Sequence, residues 1–246
     1  MSVMHLGLIG NSEVELIWAH GWGQSGQSFM HLARALGRDC ASTVLDLPGF
    51  GAASEPPSHW GTADYADAIA QWLGGLPPRR RIWVGHSFGC RVGIQLAGRN
   101  PGLIDGAILI AAAGLQRHRT FWQAVSLKAR IYAFKFGKLI VRTEAGRQRL
   151  YARFGSTDAR NAGSMRTVFT RTVNEDLSSV ASSVTCRTLL LYGSDDQDTP
   201  PEIGARLRRL IPNSELLVLT GFDHHTILTT GRHQIINEIR KFIVTK

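Results

Sequence analysis

Short apolar runs alternate with longer amphipathic stretches along most of the chain. The short runs are rich in Val, Ile and Leu, which is typical of strands buried in a parallel sheet. The longer stretches repeat their apolar positions with the period of a helix that packs on such a sheet. The pattern predicts strands over residues 15–19, 41–45, 81–84, 103–110, 188–192 and 215–219, helices over 28–36, 62–73, 88–99, 201–210 and 233–244, and an irregular strand or hairpin over 3–10. We therefore predict an α/β fold with a mostly parallel central sheet flanked by helices.

The alternation is interrupted once, after residue 114. About seventy residues follow before the next predicted strand, far more than the roughly 2–6 residues of an ordinary connection. Within them, residues 121–138 and 144–154 have the pattern of amphipathic helices. We interpret residues 115–183 as a helical lid inserted into one core domain, which consists of residues 1–114 and 184–246.

The formal net charge of +9 is concentrated in this inserted segment. Residues 115–183 carry thirteen Lys and Arg against four acidic residues, so the rest of the chain is balanced. Such a basic surface attracts an anionic substrate, an acidic carrier protein or an acidic membrane surface, or it forms only the solvated faces of the helices. Without basic motifs interleaved with aromatic residues, nucleic acid is not an expected partner. The basic side chains that carry this hypothesis are Arg117, Arg119, Lys128, Arg130, Lys135, Lys138 and Arg142.

Composition and the first residues bear on where the protein acts. The 246-residue chain has an ordinary apolar content of 43%, and it has no run of about 18 apolar residues that would span a bilayer. Its first ten residues contain no Lys or Arg, unlike a secretory signal. Three widely spaced cysteines, Cys40, Cys90 and Cys186, fit free thiols in a reducing compartment. We therefore expect a cytoplasmic protein.

The strongest chemical signal is the pentapeptide Gly85-His86-Ser87-Phe88-Gly89, which lies between a predicted strand and a predicted helix. A serine at such a strand-to-helix turn is held in a strained conformation, and the flanking glycines allow neighbouring backbone to approach. Its hydroxyl lies at a helix N-terminus, where the dipole favours developing negative charge. We predict that Ser87 is a nucleophile.

A second glycine-rich segment, His20-Gly21-Trp22-Gly23, directly follows the first predicted core strand. In a fold of this kind the loop after that strand contributes one backbone N–H to an oxyanion hole, and the residue after the nucleophile contributes the other. These donors would be the amides of Trp22 and Phe88. The side chains predicted to border the substrate are those of Trp22, His86 and Phe88.

These segments resemble the α/β-hydrolase superfamily, as does the hexapeptide Asp-Leu-Pro-Gly-Phe-Gly at residues 46–51. The pairing of His-Gly-Trp-Gly with this hexapeptide is similar to small carboxylesterases, the group that includes enzymes that remove a methyl ester from pimeloyl carried on acyl carrier protein. That group usually has Trp at the position of His86, so the resemblance is to a group and not to one substrate. The likeness covers both ends of the chain but not the inserted segment.

The resemblance also implies that serine, acid and histidine follow one another in that order along the chain. Residues 193–200 look like the family pattern in which the acid lies three residues after a glycine and four before a proline, which selects Asp196. Residues 221–225 are similar to the family's Gly-x-Gly-His segment, which selects His224 as the base, although an aspartate replaces the small residue usual just before it. Asp195, Asp198 and His225 remain alternatives.

The resulting expectation is a serine hydrolase that cleaves carboxylic esters through an acyl-enzyme on Ser87. A thioesterase, an acyltransferase or a C–C bond hydrolase with the same triad is the alternative, because the inserted segment selects leaving group and acceptor. A non-catalytic ligand-binding member of the fold fits less well, since every triad position is filled. No cofactor is expected. The adjacent His224 and His225 lack a His-x-x-x-His spacing, so we expect no metal.

Overall fold

The computed structural model describes residues 4–10, 12–116 and 161–244, together with the isolated positions 132, 136, 140, 143 and 146. Within these residues one seven-stranded sheet is covered by helices on both faces. Six of the strands run parallel to one another. The predicted α/β fold with a mostly parallel sheet is therefore confirmed.

The strands are β1 (Met4–Ile9), β2 (Val14–Ala19), β3 (Ala41–Asp46), β4 (Arg80–His86), β5 (Gly106–Ile110), β6 (Arg187–Gly193) and β7 (Ser214–Leu219). Their order across the sheet is β1-β3-β2-β4-β5-β6-β7. Only β1 is antiparallel to its neighbour among the described strands, and its register with β3 shifts between His5 and Leu8. The irregular strand expected near the start of the chain is thus confirmed.

The α-helices of the described residues are α1 (Met30–Ala35), α2 (Thr62–Gly74), α3 (Phe88–Arg99), α4 (Arg166–Asn174), α5 (Ser178–Ala181), α6 (Pro201–Leu210) and α7 (Arg232–Val244). Single 3-10 turns at Gly26–Phe29 and Gly163–Met165 lead into α1 and α4. The helix predicted from residue 28 therefore begins as a 3-10 turn. In the described part of the chain, no helix has the length and apolar character needed to cross a bilayer.

The strand predicted over residues 103–110 begins three residues late, at Gly106. The Leu103 N–H donates to the carbonyl of Asn100 (3.1 Å), which closes a turn after α3. Asp105 and Arg81 then exchange two hydrogen bonds, of 2.8 and 2.7 Å, that align β5 beside β4. Leu103 and Ile104 therefore pack against the core and do not pair with a neighbouring strand. The helices predicted over 121–138 and 144–154 lie outside the described residues, apart from isolated helical positions within them.

Alternate residues of each strand face two separate apolar cores, one on each side of the sheet. On β4, Trp83 faces the core that includes α2, α3 and α6, whereas Ile82 and Val84 face the core that includes α1 and α7. Burial on both faces explains why these strands form continuous apolar runs in the sequence. The sheet also brings the carboxyl ends of its parallel strands to one edge, where ligands bind in open α/β sheets.

The last part of the inserted segment packs on the core that includes α2 and α3. Met165, Val168 and Leu177 are buried there. The basic side chains from Arg117 to Arg142 named above lie outside the described residues. A lid over residues 115–183 stays a prediction.

Replacing Gly89 by alanine is expected to destabilise the fold severely. Gly89 is the second residue of α3, and a methyl group there would overlap the backbone carbonyl of Ala19 in β2. Because neither backbone can shift without disturbing the sheet, we expect a loss of at least about 3 kcal/mol. A methyl group at Gly74, the last residue of α2, meets no atom within 4 Å, so Gly74→Ala should stabilise by up to about 1 kcal/mol. Urea unfolding measures both variants, and equal stabilities would contradict the prediction.

Candidate active site

Ser87 forms the turn between β4 and α3, with φ 48° and ψ −102°. A positive φ at a residue with a side chain costs about 1–3 kcal/mol. The Ser87 N–H donates to the carbonyl of Ile110, and the Cys90 N–H donates to the carbonyl of Ser87, both at 3.1 Å. Gly85 is required here because a Cβ atom would lie 2.7 Å from the backbone of Gly89. The predicted nucleophile therefore lies on a tight, strained strand-to-helix turn.

The three cysteines are free thiols, two of them buried. Burial raises the pKa of each, that of Cys40 to about 11 and that of Cys90 well above its usual range. The Cys90 thiol also donates to the carbonyl of Ile110 at 3.3 Å. The thiolate is the reactive form of cysteine, and the raised pKa keeps Cys90 as the thiol. Cys90 is therefore a packing residue beneath the turn.

His224 and Asp196 meet at the carboxyl-end edge of the sheet. His224 follows β7 and Asp196 follows β6, and His224 Nδ1 lies 2.8 Å from Asp196 Oδ2. A carboxylate only accepts hydrogen bonds, so Nδ1 carries the proton and Nε2 presents a lone pair. Asp196 Oδ1 accepts from the N–H groups of Asp198 (2.8 Å) and Thr199 (2.7 Å), and the Thr199 hydroxyl donates to Oδ2 at 2.8 Å. Four hydrogen bonds thus fix the carboxylate.

These contacts also determine the charge of Asp196, whose side chain is buried. Burial alone would raise the pKa of this carboxyl group, but hydrogen bonds from His224 and Thr199 outweigh it and hold the pKa below its usual range. Asp196 is therefore an anion at neutral pH. A carboxylate in this position stabilises positive charge on the imidazole beside it.

The alternatives named from the sequence have other surroundings. Asp195 is exposed and its carboxylate accepts from the hydroxyl of Ser194 at 2.7 Å. Asp198 is exposed, and its backbone N–H donates to Asp196. His225 is exposed as well, with its ring centroid 5.3 Å from that of His224. Among the described residues, Asp196 is the carboxylate that is hydrogen-bonded to His224.

Asp223, the unusual residue before His224, shapes the loop of residues 220–226, which we call the base loop after the predicted base His224. Its carboxylate accepts from the N–H groups of His225 (2.9 Å) and Thr226 (2.8 Å), and the Thr226 hydroxyl accepts from the Asp223 N–H at 2.8 Å. Such Asx-type turns are what a short polar side chain provides and a small apolar residue cannot. The aspartate therefore stabilises the base loop in place of the usual small residue.

His20 holds the loop of residues 20–23 in one conformation. The Leu47 N–H donates to its Nε2 at 3.1 Å, so Nδ1 carries the proton and donates to the carbonyl of Gly21 at 2.8 Å. The Gly21 N–H donates to the Gln24 side chain at 3.1 Å. Burial lowers the pKa of His20 to about 4, so the ring is neutral. Neither Gln24 nor the role of His20 was identified from the sequence.

The two backbone amides predicted as oxyanion donors belong to neighbouring segments. The Gly89 N–H donates to the carbonyl of His20 at 3.0 Å, which joins α3 to the 20–23 loop. Within the described ranges, the N–H groups of Trp22 and Phe88 have no acceptor. Their rings are in edge contact, with centroids 5.2 Å apart. Neither amide is hydrogen-bonded to a described residue.

Aromatic side chains surround Trp22. Its ring lies 4.9 Å from Phe50 of the hexapeptide and 5.0 Å from Phe169 of α4. Phe169 joins the end of the inserted segment to the site, a contact that no local sequence pattern signals. Asp46 shapes the hexapeptide loop, accepting from the N–H groups of Gly26 (2.7 Å) and Ala52 (2.9 Å). The cluster provides an apolar wall beside the predicted oxyanion donors.

His86, predicted to border the substrate, is only 1% exposed. Its Nε2 donates to the backbone carbonyl of His224 at 2.9 Å, and the two ring centroids lie 4.9 Å apart. The side chain thus connects the residue before Ser87 to the base loop. Among the described residues, Gly21 and His224 lie next to this ring.

A cavity of about 400 Å³ opens beside the loop that carries Asp196. It lies between the end of the inserted segment and the loops after β5 and β6. Thr199 borders it and also contacts the Asp196–His224 pair. Most of its lining is polar. The other lining residues are Arg91, Ala113, Gly114, Leu115, Gln116, Val173, Asn174, Asp198 and Ile203.

One group of potential metal ligands coincides with this pair. Single ligand atoms of Asp196, Asp198 and His224 lie within 4.8 Å of one another. Both oxygens of Asp196 already accept two hydrogen bonds each, and His224 Nδ1 carries the proton that bonds to Oδ2. The donor set therefore fits an oriented imidazole better than a cation, which needs deprotonated ligand atoms.

The chain belongs to the alpha/beta hydrolase family, whose sequence profile matches residues 16–231. The fold and the strand-to-helix turn at Ser87 are thus consistent with the family that the sequence match defines.

Several named proteins resemble the chain over most of its length. It is 26% identical to the pimeloyl-[acyl-carrier protein] methyl ester esterase of Vibrio cholerae, with 87% of this chain and 89% of that protein aligned. It is 25% identical to the protein of the same name from Vibrio atlanticus, with the same shares aligned. The solved structure of a hydrolase from Oleispira antarctica superposes with a TM-score of 0.75 at 17% identity, covering 98% of this chain and 94% of that one. This last likeness concerns the fold alone.

The protein should lose stability as the pH falls from about 6.5 to about 4. Burial lowers the pKa of His20 to about 4 and that of His86 to about 3, whereas an unfolded histidine titrates near 6.5. In this window the unfolded chain binds more protons than the folded chain, so stability decreases with falling pH. Carboxyl groups also titrate below about pH 5, so the interval from about pH 6.5 to about 5 reports the two histidines most directly. Urea midpoints measured across the window test this, and a flat profile would contradict it.

Proposed function

We propose that this protein is a serine esterase in which Ser87 is the nucleophile, His224 the general base and Asp196 the carboxylate that orients it. The observation that carries the proposal is the 2.8 Å hydrogen bond between His224 Nδ1 and Asp196 Oδ2, at the sheet edge where Ser87 occupies its strained turn. The backbone amides of Trp22 and Phe88 form the oxyanion hole. Their lack of an acceptor among the described residues and their place on adjoining segments support this assignment.

The reaction proceeds in two halves. His224 Nε2 takes the proton of Ser87 as Oγ attacks the acyl carbon, and the negative oxygen of the tetrahedral intermediate accepts from the two amides. The C–O bond then breaks, His224 protonates the departing alcohol, and an ester links the acyl group to Ser87. Water, activated by the same base, releases the carboxylic acid. Asp196 stays ionised and stabilises the imidazolium in both halves.

The names of the relatives support an ester of an acyl group held on a carrier as the substrate class. The +9 charge, which lies wholly in residues 115–183, is consistent with an anionic substrate or an acidic carrier protein. The aromatic wall beside Trp22 suits the apolar part of an acyl chain. The three free cysteines support action in the cytoplasm. Thioester cleavage by the same groups is the second candidate, because it differs only in the leaving atom.

Ser87→Ala should abolish ester hydrolysis. Removing the nucleophile leaves only binding and the oxyanion donors, so kcat should fall at least about 10³-fold for p-nitrophenyl esters of any acyl length. Ser58→Ala, at an exposed position, is the matched control and should keep the wild-type rate. Turnover that survives in Ser87→Ala would refute the nucleophile. Comparing ester and thioester substrates of equal acyl length in the wild type discriminates between the two candidate activities.

Asp196→Asn should lower kcat about 10³- to 10⁴-fold, because an amide no longer enforces the productive tautomer of His224 or stabilises its charged form. Asp195→Asn changes a neighbouring exposed carboxylate and should alter kcat less than about 3-fold. Steady-state kinetics of both variants measure the contrast. If Asp195→Asn is the more damaging change, the acid has been assigned to the wrong residue.

A further inference from the structure

His86 is the last residue of β4 and directly precedes Ser87, yet its side chain reaches two other segments. Its Nε2 lies 2.9 Å from the backbone carbonyl oxygen of His224. Its Nδ1 lies against Gly21 of the 20–23 loop, where an added Cβ atom would be only 2.9 Å from this nitrogen. One buried ring therefore lies between the base loop, the loop of the predicted oxyanion donors and the turn of the predicted nucleophile.

The direction of the hydrogen bond follows from its acceptor. A carbonyl oxygen only accepts, so Nε2 carries the proton of His86 and Nδ1 has a lone pair. Among the described residues, Nδ1 has no hydrogen-bond partner. Burial first, and the nearby His224 second, lower the pKa of His86 to about 3, so the ring is neutral over the working range of an esterase. A neutral ring in one tautomer is a rigid donor to the base loop.

The base loop is anchored before His224 by two hydrogen bonds, from the Asp195 N–H to the Phe222 carbonyl (3.0 Å) and from the Gly221 N–H to the Ser194 hydroxyl (2.9 Å). In the described part of the chain, His86 is the donor to the His224 carbonyl, and no backbone N–H shares it. The turn around Asp223 is stabilised within itself and is exposed. His224 is therefore attached to the core at two points, its Nδ1 through Asp196 and its carbonyl through His86.

We propose that His86 is a positioning residue for this hydrolase, which holds the main chain of His224 so that its ring keeps the alignment needed to accept the proton of Ser87. This inference rests on the proposed function. It is an alternative to the expectation that His86 borders the substrate, and it is based on the contact of the buried side chain with the base loop. Displacement of a catalytic group by about 1 Å can cost about 100-fold in rate, so an anchor on the main chain of His224 itself matters.

The test uses variants that differ in where they place a donor. Glutamine carries its amide nitrogen at the same distance along the side chain as His Nε2, whereas asparagine carries it at that of Nδ1. We expect His86→Asn to lower kcat about 10- to 100-fold with KM changed less than about 3-fold. His86→Gln should recover most of that loss. Matching thermal unfolding midpoints for the two variants establishes that the difference is not one of stability.

Labelling by a fluorophosphonate separates this inference from the proposed function. The reagent reports how reactive Ser87 is, whatever the natural substrate. If wild-type protein is not labelled at Ser87, the proposed esterase fails. If wild type is labelled and His86→Asn is labelled equally fast, the positioning role fails and the esterase stands. A loss confined to KM would also overturn the positioning role, because it would make His86 a substrate contact.

A measurement on the wild type covers the case in which a variant does not fold. Nitrogen-15 NMR of the histidine rings distinguishes a protonated Nε2 from a protonated Nδ1. We expect His86 to show the Nε2–H tautomer without titrating between about pH 5 and 9. A protonated Nδ1, or a ring that titrates in that range, would overturn the inference.

Discussion

Gly89 packs directly against the backbone of β2, and the geometry of the site depends on this contact. Its N–H donates to the carbonyl of His20 at 3.0 Å, and its missing side chain lets α3 begin against Ala19. The turn at Ser87 is consequently pressed beside the loop of residues 20–23. A single methyl group at Gly89 would separate the two segments, so the predicted nucleophile and the predicted oxyanion donors share one steric requirement.

Buried histidines connect the loops around this contact. His20 joins the 20–23 loop to the end of β3 through Leu47, and His86 joins the Ser87 turn to the base loop. Both rings are neutral because burial disfavours the imidazolium. Each hydrogen bond therefore has one direction at neutral pH. Polar connections of this kind specify a single arrangement of loops, which apolar packing alone would leave free to shift.

The end of the inserted segment is attached to the core by polar anchors as well as by apolar packing. Arg91 of α3 donates to the carbonyls of Thr172 (2.9 Å) and Glu175 (3.2 Å) at the C-terminal end of α4. Its positive charge interacts favourably with the negative end of the helix dipole there. The Glu175 side chain in turn accepts from the Thr62 N–H at 3.1 Å, at the start of α2. These anchors hold Phe169 against Trp22. The end of the inserted segment is thus joined firmly to helices that pack on the sheet.

The sequence by itself determined the fold class, the strand-to-helix turn at Ser87 and the segments that carry the predicted acid and base, because periodicity and short glycine motifs are local properties of the chain. It could not identify Phe169 as a neighbour of Trp22, because the two residues are distant along the chain. It could not identify Thr199 as a partner of Asp196 either, because that contact depends on the conformation of the loop between them. The sequence predicts that His86 borders the substrate, because it is adjacent to Ser87. Only the tertiary structure decided that its ring faces the base loop, since the direction of a strand's last side chain depends on what packs behind the sheet.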